Sequence, residues 1–339
     1  MKKCVLFLVS SCLVLMLKAQ QKPHYTQYVM NQYILNPALS GIENYTDIKL
    51  SHRHQWVGLQ DAPITTYFTI HTPIGKSDFR TSATSMRVPG ENPRGKAYWE
   101  QYTAAEPHHG VGMQIINDRT GPLSRFAAYA TYSYHLGISA RTSLAAGFGA
   151  GITNNSLNTS KLDFIYVPVD PAVYNNGIIN KIKPDFMAGL YLYSADYFVG
   201  LSAQQIIPSK IAFSDYQVKT TDGKFVPHLF ATAGYRLLIN DDLNLIPSLM
   251  VKYISPLPTQ VDVNLKLQYQ DVMWVGASYR NGEGFAGMMG INISNTLSLG
   301  YSYDYTTSKL NTVSKGTHEL LIGFTLGNKY GDWCPKNVW

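Results

Sequence analysis

Apolar and polar residues alternate along most of the chain after residue 45. In TQVDVNLKLQY, residues 259–269, every second side chain from Val261 onward is valine, leucine or tyrosine, and those between are Asp, Asn, Lys or Gln. The stretches NTLSLGYSYDY and HELLIGFTL repeat the pattern nearer the end of the chain. Because successive side chains of a strand point to opposite faces, this period of two predicts strands with one apolar face and one mostly polar face.

The alternating pattern recurs along the whole chain and predicts about fourteen strands. They lie near residues 46–56, 64–73, 109–118, 124–136, 141–153, 184–194, 196–206, 226–239, 243–254, 259–269, 271–280, 284–293, 296–306 and 317–326. Soluble sheets have strands of ~5–6 residues, whereas strands that cross an outer membrane need ~10. The alternative is a soluble β-sandwich or propeller, since local alternation is the same there.

The connections favour the membrane fold. Those near GIS, SAD, NDD, YQD and SNT are tight, and several of those between them are longer, notably residues 154–183, 207–225 and 307–316. Short periplasmic turns and longer external loops are typical of bacterial outer-membrane barrels. The sequence therefore predicts an all-β fold, an antiparallel up-and-down transmembrane β-barrel of about 14 strands (12–16) over residues 46–326, with both termini in the periplasm.

The first residues read as a targeting signal. A basic start is followed by the apolar run CVLFLVSSCLVLML and a polar stretch, which predicts a secretory signal peptide over residues 1–19. The alternative is a lipoprotein signal with Cys12 as the lipidated residue, although the apolar run continues past it. Only Cys334 would remain after cleavage, so no intrachain disulfide is expected.

Composition agrees with an exported membrane barrel. Charged residues make up 15% of the chain, and there are 24 tyrosines and 27 glycines. After the signal no apolar stretch approaches the ~18 residues of a membrane helix. The net charge of +6 is scattered along the chain, which argues against nucleic acid as a partner.

Two segments depart from the simple barrel pattern, both on the short-turn side. The insert at residues 74–108 is basic and aromatic, and residues 327–339 form a tail after the last strand. Arginine and aromatic residues are enriched where protein interfaces concentrate their energy. We therefore predict partner contacts at Arg80, Arg87, Arg94, Lys96, Tyr98, Trp99, Trp333 and Trp339. The alternative for the insert is a solvated loop.

Three motifs in the first part of the chain resemble those of the PorP/SprF family of the type IX secretion system. The residues concerned are Gln27-Tyr28, Asn31, Asn36-Pro37-Ala38 and Gly41; Gln55-Trp56, Gly58, Ala62-Pro63 and Thr65; and Asn117-Asp118 and Gly121-Pro122. The resemblance implies an outer-membrane barrel that serves protein secretion or gliding. It also implies partners: a periplasmic ring lipoprotein with its companion protein, a peptidoglycan-binding adaptor, or a secreted surface protein, in addition to outer-membrane lipid.

The segment before the first strand, residues 20–45, has a pattern of its own. Tyr25, Tyr28 and Tyr33 recur at near-helical spacing until Asn36-Pro37 ends the pattern. A helix this short is not stable alone in water and must pack on something. We predict that it plugs the barrel lumen or caps the periplasmic mouth; the alternative is a disordered leader.

Catalytic and metal-binding patterns are weak. GFGAG, residues 147–151, lacks the Lys and Ser/Thr of a phosphate loop, and its glycines read as a lumen face with room for something to pack. His52, His54 and His71 have no Cys or Glu at ligand spacing. We expect no enzyme activity, cofactor or metal.

Two functions remain: a plugged anchoring component of a secretion machine, or a porin-like solute channel. Few charges are expected in the lumen, such as Asp262, Lys266 and Asp304. The plugged barrel is therefore favoured.

Overall fold

The computed structural model describes residues 25–76, 99–100, 102–161, 178–207, 226–255, 257–270, 272–294 and 296–327. It consists of strands joined by turns and short 3-10 helices. The strands are β1 (Thr46–His54), β2 (Ile64–Ile74), β3 (His108–Thr120), β4 (Leu123–Ser139), β5 (Thr142–Asn158), β6 (Ile178–Tyr193), β7 (Tyr197–Gln204), β8 (His228–Tyr235), β9 (Leu237–Asn240), β10 (Leu243–Ile254), β11 (Gln260–Tyr269), β12 (Met273–Arg280), β13 (Gly284–Asn292), β14 (Leu297–Thr306) and β15 (Thr317–Leu326).

These segments close into one antiparallel barrel. Neighbours in sequence pair with each other, β10 continues the sheet to β11, and β1 pairs with β15. Segments β8 and β9 both pair with β10 and are two halves of one strand interrupted at Arg236. The ring therefore has 14 strands, which confirms the predicted fold class and strand count. Full closure leaves no strand edge without a hydrogen-bonding partner.

The alternation seen in the sequence separates the two faces of the barrel wall. On β11, Val263 and Leu265 are exposed on the outside, whereas Asp262 and Asn264 are buried inside. β13 and β15 alternate in the same way, although most of the buried residues of β13 are glycine, alanine and methionine. An apolar exterior over a mostly polar interior is the pattern of a lipid-facing barrel. Among the residues described, no helix is long and apolar enough to cross a membrane.

The two ends of the barrel differ. We call the end at which β1 begins and β15 finishes the terminus end, and the other the opposite end. At the terminus end the β4–β5, β6–β7, β9–β10, β11–β12 and β13–β14 connections are all tight. The opposite end has longer connections, such as residues 205–227, but also tight ones at 121–122 and 281–283. The predicted contrast in loop length is therefore only partial.

Most of the predicted partner-binding residues lie outside the described part of the chain, namely Arg80, Arg87, Arg94, Lys96, Tyr98, Trp333 and Trp339. Trp99 is described and lies at the terminus end. Its carbonyl accepts a hydrogen bond from Arg141 (2.7 Å), in the β4–β5 turn. Its side chain packs against Tyr102 and Ala195, the latter in the β6–β7 turn. The last part of the insert thus rests on two terminus-end turns.

Candidate functional site in the barrel lumen

Residues 25–45, hereafter the lumen segment, lie inside the barrel. The segment forms three 3-10 helices: Thr26–Val29, Gln32–Ile34 and Pro37–Leu39. The near-helical tyrosine spacing thus corresponds to successive tight turns and not to one α-helix. Nearly every residue of the segment is buried, polar ones included. A segment so short has no core of its own, so its stability depends on the barrel wall.

At the opposite end the segment begins in a cluster of buried charges. The Thr26 backbone N–H donates to Glu319 Oε2 (2.7 Å), and its hydroxyl donates to Asp304 Oδ2 (2.7 Å). Arg53 donates to the same hydroxyl (2.8 Å) and lies between the two carboxylates, at 2.7 Å from Asp304 and 3.2 Å from Glu319. Arg280 completes the cluster with Asp262 (3.1 Å). Buried charges are tolerated when they are paired and hydrogen-bonded in this way.

These lumen charges are more numerous than the sequence suggested. Besides the expected Asp262, Lys266 and Asp304, the wall buries Arg53, Arg280, Glu319 and Lys252. The expectation of only a few lumen charges therefore underestimated their number. The inward position of Glu319 follows from alternation, because Glu319 shares a strand face with Gly323 and Thr325. The pairing of Glu319 with Arg53 does not follow from the sequence pattern, because it joins β15 to β1, which are far apart in sequence.

The three predicted plug tyrosines point to different parts of the wall. Tyr25 packs edge-on against Tyr67 of β2, with ring centroids 5.2 Å apart. The Tyr28 hydroxyl accepts from Asn264 of β11 (2.6 Å). The Tyr33 hydroxyl is 2.5 Å from the Thr131 hydroxyl of β4. Because these contacts reach strands on several sides, the segment is held across the lumen rather than along one wall.

Asn36, Pro37 and Ala38 fit into the side of the wall formed by β5, β6 and β7. Asn36 Nδ2 donates to the carbonyls of Leu190 on β6 (3.0 Å) and Leu201 on β7 (3.3 Å), and Asn36 Oδ1 accepts from the Ala38 N–H (3.0 Å). Glycines make the approach possible. A Cβ at Gly147 would lie 2.6 Å from Ala38 backbone atoms, and one at Gly189 would lie 2.0 Å from Asn36 Oδ1. Glycine often marks such close approach of two backbones.

At the terminus end three histidines bind the backbone of Ser40 and Gly41. His135 Nε2 donates to the Ser40 carbonyl (2.7 Å), and His108 Nε2 donates to the Gly41 carbonyl (3.2 Å). His71 Nδ1 accepts from the Gly41 N–H (3.2 Å). Gly41 has φ of +67°, a conformation that favours glycine. The backbone groups that would otherwise be unsatisfied at this turn are therefore bonded.

The lumen segment thus runs the length of the barrel interior, from Thr26 near the opposite end to Gly41 at the terminus end. The family-like residues Asn36, Pro37, Ala38 and Gly41 are among those that touch the wall closely. Sequence reasoning missed the partners on the wall, His108 and His135 included. Their inward position follows from strand alternation, but their proximity follows only from the closed topology.

No group of three or more His, Cys, Asp or Glu side chains within the described ranges is arranged to hold a metal ion. His52 lies on the outside, bonded to Thr66 (2.9 Å), so it does not join His71. The lumen histidines bind backbone atoms instead. Within the described ranges, the lumen side chains make hydrogen bonds and packing contacts with residues 25–45.

Comparisons with solved structures give outer-membrane barrels. The Ralstonia pickettii toluene transporter TbuX aligns with a TM-score of 0.50 and 11% identity, covering 88% of this chain and 93% of that one. The Acinetobacter baumannii outer membrane protein Omp33 aligns at 0.45 and 9%, covering 85% and 100%. At these identities the likeness concerns the fold alone. A sequence search against curated proteins found no match.

The family comparison is more specific. A family model described as type IX secretion system membrane protein PorP/SprF matches residues 17–324, which include the lumen segment and every strand up to most of β15. The fold and the family together indicate the outer membrane. This family is not known to be enzymatic. The chain belongs to the PorP/SprF family of type IX secretion system membrane proteins.

Proposed function

We propose that this protein is a closed barrel of the type IX secretion machinery that anchors other components at the outer membrane and does not itself conduct. In this proposal the lumen segment is the plug. The anchored components are a periplasmic ring lipoprotein with its companion protein, a peptidoglycan-binding adaptor, or a secreted surface protein.

The observation that carries the proposal is the way in which the lumen segment is bonded. Its backbone is held at both ends, by Glu319 near one end and by His108 and His135 near the other. Between them Gln204 Nε2 donates to the carbonyls of Ile34 (3.0 Å) and Leu35 (2.9 Å). A segment bonded along its length to the wall supports a closed lumen, because moving it would leave many buried polar groups unsatisfied.

We further propose that the terminus end faces the periplasm and carries the partner contacts. Tight turns at that end support this orientation, since periplasmic turns of such barrels are short. Trp99 accepts a hydrogen bond from Arg141 and packs near Ala195, and these contacts at the terminus end support assigning the insert to this end. A secretion ring in the periplasm would then meet the basic and aromatic residues of the insert and the tail first.

Co-purification from detergent-solubilised membranes tests the partner face. One variant carries Arg80→Glu, Arg87→Glu, Arg94→Glu and Lys96→Glu, and another ends after Leu326. We expect both to assemble as barrels and to lose the ring and adaptor proteins. The matched control deletes residues 162–177, at the opposite end beyond the last residue of β5, and should retain the partners. The reverse result, with retention in the first two and loss in the control, would mean that the face is assigned wrongly.

The second candidate is a porin-like solute channel. The buried lumen charges favour it, because an open pore needs a polar, charged lining. Conductance in planar bilayers distinguishes the two. A plugged barrel should conduct poorly when intact and should conduct strongly once residues 25–45 are deleted. High conductance of the intact chain would instead establish the channel.

A further inference from the structure

Two clefts lie at opposite ends of the same side of the lumen. The cleft at the terminus end, of about 50 Å³, is lined by Asp47, Lys49, Ser298 and Thr325. The cleft at the opposite end, of about 230 Å³, is lined by Arg53, Asp304, Ala286 and Thr317. Both clefts run along the wall made by β13, β14, β15 and β1.

Only a short constriction separates the clefts. On β14 the inward residues between them are Gly300 and Ser302, and on β15 they include Leu321. The side chain of Gln27 closes the gap from the lumen segment. A Cβ built on Gly300 would lie 3.2 Å from Gln27 Oε1. The side-chain amide of Gln27 therefore packs directly against the backbone of β14 at Gly300.

The constriction contains polar atoms without protein partners. Gln27 is fully buried, and neither its Oε1 nor its Nε2 has a hydrogen-bond partner among protein atoms. Ser302 Oγ, equally buried, has none, and neither has Asn31 Oδ1 near the terminus-end cleft. Buried polar groups are normally satisfied by protein or by ordered water. These unpaired side chains indicate a hydrated strip between the lumen segment and β14.

The wall opposite is different. There Asn36, Ser40 and Gly41 are bonded to β2, β3, β4, β6 and β7, and glycines bring the backbones into contact. Along β14 and β15 the bonds of the segment are confined to the opposite end, where Thr26 and the Gln27 backbone N–H bond to Asp304 and Glu319. Next to them, the Gln27 side chain leaves its polar atoms without protein partners.

We propose that this strip is a passage for water and small hydrophilic solutes that the Gln27 side chain keeps closed in this structure. Charged residues of both signs stand in each cleft, Asp47 and Lys49 in one and Arg53 and Asp304 in the other. The passage therefore has no strong preference for anions or cations, and its width limits what passes. The inference rests on the proposed closure of the lumen by residues 25–45 and adds the place where that closure is thinnest.

The test compares Gln27→Ala with Gln114→Ala in planar bilayers containing KCl. Both glutamines are fully buried in the lumen, but Gln27 belongs to the lumen segment, whereas Gln114 is on β3 and donates to the Tyr33 carbonyl (2.6 Å). The Gln27 amide has no such bond, so its removal takes away volume without releasing the segment. We expect a several-fold rise in conductance for Gln27→Ala and glycerol uptake into proteoliposomes, and no rise for Gln114→Ala.

Two further variants locate the current. Adding Ser302→Trp to Gln27→Ala should abolish the gain, because the indole fills the strip. Adding Ser302→Cys should make the current sensitive to a thiol-reactive sulfonate, with Cys334→Ser in the background. An unchanged conductance in Gln27→Ala, or an equal rise in Gln114→Ala, overturns the passage. If deleting residues 25–45 opens a pore while Gln27→Ala does not, only this inference fails and the plug proposal stands.

Discussion

Gly110 on β3 shows how closely single residues fix the lumen segment. A Cβ at this position would lie 1.9 Å from the Ser40 carbonyl oxygen, which must then leave its bonds to His135 and Ser133. Overpacking of this kind costs ~1–3 kcal/mol. We expect Gly110→Ala to keep the barrel closed and to release the terminus-end part of the segment, seen as new protease cleavage between residues 36 and 45. Gly287→Ala is the control, because nothing lies within 4 Å of its added Cβ. Equal cleavage in both variants would contradict the expectation.

Arg53 is a second residue whose side chain alone is expected to affect the stability of the barrel. It neutralises Asp304 and Glu319 deep in the lumen, and only 3% of its side chain is exposed. Removing one partner of a buried pair leaves an uncompensated charge and costs ~3–5 kcal/mol. We therefore expect Arg53→Met to lower the temperature at which the barrel loses its compact form on unboiled gels.

The control is the ion pair between Lys161 and Asp61, in which nearly half of each side chain is exposed. Exposed pairs contribute ~0–1 kcal/mol, so Lys161→Met should leave the transition almost unchanged. If both variants lowered the transition temperature by a similar amount, the buried charge cluster would not be what holds the segment in place.

The elements differ in how far the sequence predicts them. Strands such as β10 and β15 match their predicted bounds, because a strand buried on one face and exposed on the other must alternate. The lumen segment carries no such signal, since all its faces are buried. Its tyrosine spacing and the Asn36-Pro37 break indicated a packed element and not its path. That path depends on wall residues distant in sequence, such as Leu190 and Glu319.

Asn36 joins the lumen segment to two strands and gives a prediction at the scale of elements. Asn36→Ala removes both donor bonds to β6 and β7 and the bond that caps Ala38. At about 1 kcal/mol for each bond, the loss is ~2–3 kcal/mol. Asn36→Asp keeps the capping oxygen but cannot donate, so it should lose the inter-strand bonds as well. Thermal unfolding in detergent, followed on unboiled gels, measures the effect.

Asn31→Ala is the comparison, because the Asn31 side chain bonds to one strand, through Thr69 of β2 (2.9 Å). It should destabilise the barrel less than Asn36→Ala. If Asn31→Ala lowered the thermal stability of the barrel more than Asn36→Ala, the contact with β6 and β7 would not be the main attachment of the segment.

At the scale of the whole molecule, closure explains why the barrel can hold so many buried polar groups. Every strand pairs on both sides, so the wall needs no covering layer and its inner face is free to bind the lumen segment. Family membership and the closed fold indicate that the barrel lies in the outer membrane. The orientation of the barrel in that membrane then determines which end faces the periplasm and meets the secretion ring.

Cysteine labelling of whole cells measures that direction. In a Cys334→Ser background, Asn281→Cys places a thiol in a turn at the opposite end, and Asp242→Cys places one in a turn at the terminus end. Both side chains are exposed, so reactivity should depend on the compartment and not on burial. With the terminus end in the periplasm, a membrane-impermeant maleimide should label Asn281→Cys on intact cells and Asp242→Cys only after the outer membrane is opened. Labelling of Asp242→Cys alone on intact cells would reverse the orientation and move the expected partner face to the longer loops.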